Sequence, residues 1–193
     1  MANKVQYGFR NVVYSIITES EGQITYATPV KMNQDGAGAI SVALSPVGDA
    51  NDFYADDIIW FSETPNQGYE GDLVMTKITD AFKKDVLGMI EDSNGALIEN
   101  ADATYKKFAI GFEVQGNEKP TRTWYYYCSV SRPSDEANTK EVSTTPAQKT
   151  LTLKVMPRPT DMAVKISMTK SATNETAFNG FFDAVYEKQT PSI

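Results

Sequence analysis

Fourteen Val and twelve Ile stand against only six Leu in this chain, joined by nineteen Thr and twenty-one aromatic residues. β-Branched side chains are stiff at χ1 and crowd a helix, and together with aromatic rings they fit a pleated surface, so this inventory points to strands. The length of 193 residues is a little over that of one usual domain, and folding at that size buries roughly 70% of the chain's surface. With 41% hydrophobic residues, a core can form without a disulfide or metal staple. The expectation is one domain over residues 1–193, mainly β with α+β character. It should be a β-sandwich or barrel-like body with one flanking α-helix, an extended loop and terminal arms.

Short apolar segments alternate with frequent punctuation along the chain. Residues 11–18 and 24–32 read as a hairpin around Glu21-Gly22, and residues 33–38 (Asn33-Gln34-Asp35-Gly36-Ala37-Gly38) hold turn formers without an apolar anchor. The segment 31–40 is therefore expected to be a mobile loop before a strand at 39–44. Further strands are expected at 53–61 and 72–78, separated by a Pro-containing turn that cannot continue a ladder. The period then changes. Phe82, Val86 and Met89 recur at helical spacing behind Thr79 or Asp80 as a cap, which predicts a helix over 79–90. After an Asn94-Gly95 turn, strands follow at 107–114, 121–131 and 149–156, and the last segments are 163–168 and an aromatic stretch at 178–186. In the strand at 149–156, Leu151, Leu153 and Val155 alternate with Thr150, Thr152 and Lys154, the pattern of one covered and one wet face. Residues 1–9 and 187–193 lack the periodicity to join the core and read as arms.

The chain has no His, which removes Ser-His-Asp and Cys-His catalysis, imidazole acid–base chemistry and every His-containing zinc site. Cys128 lies in an apolar run and reads as a buried, reduced thiol packing as a small hydrophobe. A single cysteine fits a reducing compartment, and no stretch approaches the roughly twenty apolar residues of a spanning helix.

The net charge of −7 argues against binding nucleic acid by phosphate neutralisation. Its distribution is uneven: residues 1–100 carry fifteen acids and six bases, while residues 101–193 carry ten acids and twelve bases. Between Lys31 and Lys77 there are eight acids and no base. A solvated acidic face accounts for that run, and so does a surface shaped by sister copies in an assembly.

The candidate chemical motifs fail on their own requirements. Asp49-Ala50-Asn51-Asp52 resembles the opening of a calcium loop, but Tyr54 and Trp60 occupy the positions that need Gly and Glu. Gly36-Ala37-Gly38 lacks a third glycine and precedes a strand, not a helix. Asp56 and Asp57, read as adjacent strand residues, would face opposite ways and could not flank one glycosidic bond. No catalytic residue, metal site or cofactor is expected, and the reading is non-enzymatic. The run Trp124-Tyr125-Tyr126-Tyr127 keeps open a soluble ligand- or carbohydrate-binding β-sandwich module, although alternation favours core plus rim.

An ordered series of segments carries a more specific likeness. It runs from Gly8-Phe9-Arg10-Asn11-Val12-Val13-Tyr14 through Asn51-Asp52-Phe53-Tyr54-Ala55-Asp56-Asp57, Gly68-Tyr69-Glu70-Gly71-Asp72-Leu73 and Phe108-Ala109-Ile110-Gly111-Phe112-Glu113. It continues with Arg132-Pro133-Ser134, Pro157-Arg158-Pro159 and Gly180-Phe181-Phe182 followed by Val185-Tyr186. In order and spacing the chain resembles the major tail tube protein of long-tailed, siphovirus-type phages of Gram-positive bacteria. The resemblance implies a structural virion protein that assembles as stacked hexameric rings into the tail tube, the conduit for genome delivery. It implies contacts with tape measure, tail terminator and distal tail proteins, double-stranded DNA passing through the lumen without specific binding, assembly in the host cytoplasm, and no membrane. It also implies that mobile segments clasp neighbouring subunits, which makes Asn33, Gln34, Asp35, Gly36 and Gly38 candidate inter-ring contacts. A lumen that repels its cargo needs outward-facing acids. Strand alternation around Asp72 and around Glu113 makes these two the candidates, the alternative being that both face solvent on the outside of the tube.

Overall fold

The structure, a computed structural model, describes residues 4–137, 139 and 147–189. It is mainly β and antiparallel. The chain enters through β1 (Phe9–Ser20), turns at Glu21-Gly22, both with positive φ, and returns as β2 (Gln23–Tyr26) and β3 (Val30–Lys31). The expected strand at 24–32 is thus two short ones, interrupted around Pro29, which has no backbone donor for a ladder. β4 (Ala39–Pro46) pairs with β7 (Tyr69–Met75), and β10 (Phe108–Val114), β11 (Thr121–Val130), β12 (Lys149–Val155) and β13 (Lys165–Thr169) complete the sheet.

Strand order in this sheet is β2-β1-β10-β11-β12-β7-β4, with β3 also on β1 and β13 also on β11. β11 changes partner along its length: Thr121 to Tyr125 pair with β13, and Cys128 to Val130 pair with β12. The sheet bends there and curls until β4 comes near β1, giving the barrel-like body. Inside the curl, Tyr14, Leu73, Met75, Phe108, Ile110, Cys128, Leu151 and Leu153 are almost fully buried. β12 keeps the expected alternation, with Leu151, Leu153 and Val155 inside and Thr152 and Lys154 outside.

The helix α1 (Asp80–Asp85) closes one end of the curl. Thr79 accepts the Phe82 amide through Oγ1 at 3.3 Å, the expected cap, and Phe82 packs edge-on against Tyr14 and Phe108. The helix ends at Asp85 instead of running to 90. Gly88 adopts φ +68°, and the chain leaves into the hairpin of β8 (Ile90–Glu91) and β9 (Leu97–Ile98), turned by Asn94-Gly95.

Two expectations need correction. The helix at α1 is not the only one: at the aromatic stretch 178–186 lie the end of α2 (Glu175–Asn179) and a 3-10 turn at Gly180–Phe182. They cover the outer face of β1, β10 and β11, where Val13, Ala109, Trp124, Tyr126, Phe181 and Val185 form a second core. The segment 53–61 is not one strand either. Asp56 and Asp57, with φ of 52° and 61°, make a two-residue hairpin turn between β5 (Asn51–Ala55) and β6 (Ile58–Glu63). Their pairing across opposite faces of a strand therefore does not arise.

Candidate assembly surfaces

Three surfaces are built by this scaffold. The first is the outer face of β4, β7 and β12. Register sets Ser41 beside Val74 and Thr150, Ala43 beside Asp72 and Thr152, and Ser45 beside Glu70 and Lys154. Ser41, Ala43, Ser45, Glu70, Asp72, Thr152 and Lys154 are exposed, so the face is wet, nearly flat in side-chain size and mostly neutral or acidic. The Thr152 hydroxyl donates to the Asp72 carboxylate at 2.7 Å. Asp72 thus points outward, as alternation with Leu73 and Met75 predicts.

Glu113 does not. Its side chain is 2% exposed and lies between two guanidiniums, Arg10 of β1 at 2.6 Å and Arg122 of β11 at 2.8 Å. All three residues are in register across β1, β10 and β11. Alternation does turn Glu113 away from the inner core, but the other face of β10 is covered by the C-terminal helical segment. Arg122 donates to the carbonyls of Phe178 and Asn179 at the end of α2 and stacks on the Phe178 and Phe182 rings. Burial alone would raise the Glu113 pKa, but the hydrogen bonds and charges of Arg122 and Arg10 outweigh it and hold the carboxyl below the usual carboxylate range. Glu113 is a structural ion-pair centre and is withdrawn as a lumen-facing acid.

The second surface surrounds the loop at 31–40. Gln34-Asp35-Gly36-Ala37 forms a tight turn, with φ of 55° at Asp35 and 74° at Gly36 and the Ala37 amide donating to the Gln34 carbonyl. Asn33, Gln34, Asp35 and Gly36 are exposed, whereas Gly38 is half-buried and exchanges hydrogen bonds with Thr76. The loop has apolar anchors after all: Met32 is fully buried and Ala37 nearly so. Beside it lies a cleft of about 280 Å³ with Ile78, Leu87, Met89 and Tyr105 in its lining and Asp35 and Lys77 among its charged residues.

The third surface is the β5–β6 hairpin. Phe53, Tyr54, Ile58, Ile59, Trp60 and Phe61 are each between 53% and 67% exposed. Residues 49–63 add five acids and no base. Sequence reasoning placed a strand here and missed the exposure. The available signal was the absence of inside–outside alternation in Phe53-Tyr54 and Ile58-Ile59-Trp60-Phe61, which leaves no polar face to turn to water.

Where they are described, the arms make a few contacts with the body. Backbone amides of Lys4 and Val5 donate to Asn117, Phe9 packs on Phe112, and residues 1–3 lie outside the described residues. At the other end Glu187 meets Arg158, which also binds Asp161 and the Tyr26 hydroxyl and sits 4.4 Å from the Tyr126 ring centroid. Residues 190–193 of the expected C-terminal arm lie outside the described residues. Asp161 is held down to about 2, first by its hydrogen bonds from Arg158.

Trp124, the aromatic that kept a ligand-stacking role open, is fully buried and donates its indole N–H to the Phe181 carbonyl at 2.8 Å. Among the described residues no group of three or more His, Cys, Asp or Glu is placed to hold a metal, and no helix is long and apolar enough to cross a membrane. The surface features that stand out are a wet sheet face, a turn flanked by buried Met32 and Ala37, and an exposed apolar hairpin. A family model described as phage tail tube protein matches residues 2–128, well over half the chain, and the chain belongs to that family. It is accordingly a bacteriophage structural protein and a component of the virion tail. The segments at 8–14, 51–57, 68–73 and 108–113 fall within the match, and those from Arg132 onward fall beyond it. No curated protein matches the chain.

Proposed function

We propose that copies of this chain close into hexameric rings that stack into the tail tube of a siphovirus-type phage of a Gram-positive host, and that the phage genome passes through the lumen. The outer face of β4, β7 and β12 is the surface best suited to line that lumen. Its side chains are mostly small and polar, its acids are Asp72 and Glu70, and Lys154 lies in register beside Glu70. DNA carries a charge about every 1.7 Å of axis, and a basic lining would hold it by releasing counterions. A face of Ser, Ala and Thr on which two carboxylates outnumber one ammonium leaves it free to slide.

The observation that carries the reading is the family membership together with this uncovered face. Exposed Asn33 to Gly36 at one end of the body supply ring-to-ring contacts, and tape measure, tail terminator and distal tail proteins supply the remaining partners. Assembly takes place in the host cytoplasm, where a lone buried Cys128 stays reduced. Negative-stain microscopy of the purified protein tests the reading. Rings or tubes with six-fold end views are expected, and a small monomeric particle at every concentration and salt would refute it.

A further inference from the structure

The chain holds two Asn-Gly pairs, Asn94-Gly95 and Asn179-Gly180, and the fold treats them differently. An Asn followed by Gly is prone to ring closure between its side-chain amide and the next backbone nitrogen, because glycine has no Cβ to block the approach. Asn94 and Gly95 turn the hairpin of β8 and β9 and are exposed, and a Cβ on Gly95 would meet nothing closer than Glu91 Oε1 at 3.9 Å. The hairpin stands as its own two-stranded sheet, held by the pairs Ile90↔Ile98 and Glu91↔Leu97. An isolated hairpin is marginal in water, so this one opens readily.

We propose that Asn94 is a site of spontaneous modification in the folded protein, where it converts to isoaspartate and unpins the β8–β9 hairpin. The Gly95 nitrogen gives up its proton and bonds to Asn94 Cγ, the Cγ–Nδ2 bond breaks, and ammonia leaves carrying that proton. Water, the only co-reactant, then opens the imide ring. Attack at the Asn94 backbone carbonyl carbon leaves the chain running through the side-chain carboxyl, which is isoaspartate. Attack at Cγ leaves aspartate.

The second pair is an internal comparison. Asn179 ends α2 with φ −64° and ψ −42°, and the imide ring needs a backbone angle outside that helical range. The Gly180 amide donates back to the Thr176 carbonyl, and the Asn179 carbonyl accepts from Arg122 at 3.1 Å. Phe178 and Phe181, on either side, are buried. Freeing Asn179 therefore means lifting the whole packed cover. At Asn94 the Gly95 amide donates to the Asp92 carbonyl at 3.1 Å, a bond that is lost at each opening of the hairpin.

The product alters the turn in two ways. Isoaspartate inserts an extra backbone carbon into a turn built closely around Asp92, whose Oδ1 accepts the Asn94 and Ala96 amides at 2.8 Å and whose amide donates to the Ala96 carbonyl at 2.9 Å. It also adds a carboxylate beside Glu91 and Asp92, so like charges crowd the turn. Met89 and Glu99, which flank the hairpin, line the cleft beside α1, and that wall of the cleft loosens with it. A virion component is not renewed after assembly, so the product accumulates with age.

The test incubates the full chain at mildly alkaline pH, which favours loss of the Gly95 amide proton, and maps it by proteolysis and mass spectrometry. In the folded protein the Asn94 peptide should convert more than about tenfold faster than the Asn179 peptide, the difference in opening between a fraying hairpin and a packed cover. In denaturant the two rates should converge. Equal rates at the two sites in the folded protein would overturn the proposal. The converted fraction should accept methyl groups from an isoaspartyl methyltransferase, and aspartate without isoaspartate would mean direct hydrolysis of the amide and overturn the imide route. Amide exchange at Asp92 and Ala96 should be faster in converted than in fresh protein, and unchanged protection after conversion would overturn the unpinning. Asn94→Gln, whose longer side chain closes the ring poorly, should keep the fresh exchange pattern through the same incubation. Loosening of the hairpin in that variant would assign the change to another cause and overturn the proposal.

Discussion

Glu113 between Arg10 and Arg122 ties three strands to the end of α2, and its effect on stability has a definite sign with pH. Its pKa is lower folded than unfolded, so the folded state holds that proton less tightly. The stabilisation is present above the ordinary carboxylate range and is lost as pH falls through the depressed folded value. Asp161, held to about 2 by Arg158, acts in the same direction. Glu113→Gln should lower stability by about 2 kcal/mol at neutral pH, since Arg122, partly buried, loses its carboxylate partner while Arg10, half-exposed, can turn to water. Thermal melts between about pH 5 and pH 2 should show a shallower acid decline for the variant than for the parent. Parallel declines would show that Glu113 does not titrate as described. The parity of Glu113 was legible in Phe112-Glu113-Val114; what covers its face was not, because that cover arrives from residues some sixty positions later. Cys128, by contrast, was fully legible from its apolar run. Burial pushes its thiol well above the ordinary range, so a thiol reagent should label it only after denaturation. Cys128→Ala should cost on the order of 1 kcal/mol, and rapid labelling of the folded protein would contradict its burial.

Among the elements, the strands with clean alternation were readable, and so were the aromatic β10 and β11; two further aromatic stretches were not. β12 matches its pattern from Leu151 to Val155, with Thr150 half-buried, since a two-residue period has one physical meaning. The aromatic stretch at 178–186 and the run at 53–61 look equally strand-like in composition. β-propensity measures packing on a half-buried surface more than backbone preference, so aromatics serve a helical cover or an arm as readily. The hairpin turn was hidden for a related reason. Asp-Asp tolerates positive φ but lacks the glycine that marks most two-residue turns. The cover formed by α2 and the 3-10 turn depends on Gly111 in β10, where an added Cβ would meet the Trp124 ring at 2.9 Å and Phe182 at 3.0 Å. Gly111→Ala should therefore cost about 2 kcal/mol through overpacking. It should loosen the cover first, with amides of residues 175–186 exchanging faster than those of β12. Uniform loss of protection would mean that the cover is not a separable unit.

At the scale of the whole molecule, the acidic first half of the chain is divided between two places with different consequences. Asp49, Asp52, Asp56 and Asp57 ride on the hairpin or at its root, while Glu70 and Asp72 lie on the wet face of β7. Only the second pair sits on a broad sheet face able to curve around a channel. Removing charge from the two places should therefore fail differently in an assembled tail. Asp72→Lys with Glu70→Lys changes exposed side chains on an ordered face, so folding and tube formation should proceed nearly as in the parent. Each added cation facing the lumen can bind a phosphate and release counterions, a gain that is large at low salt and fades as salt rises. Genome ejection from phage carrying this variant should be slowed at low ionic strength and recover toward the parental rate near about 0.5 M salt, where screening reaches only a few ångströms. Ejection at the parental rate from well-formed tubes at low salt would place the β4–β7–β12 face on the outside of the tube, leaving the lumen to be lined by another face of the sheet.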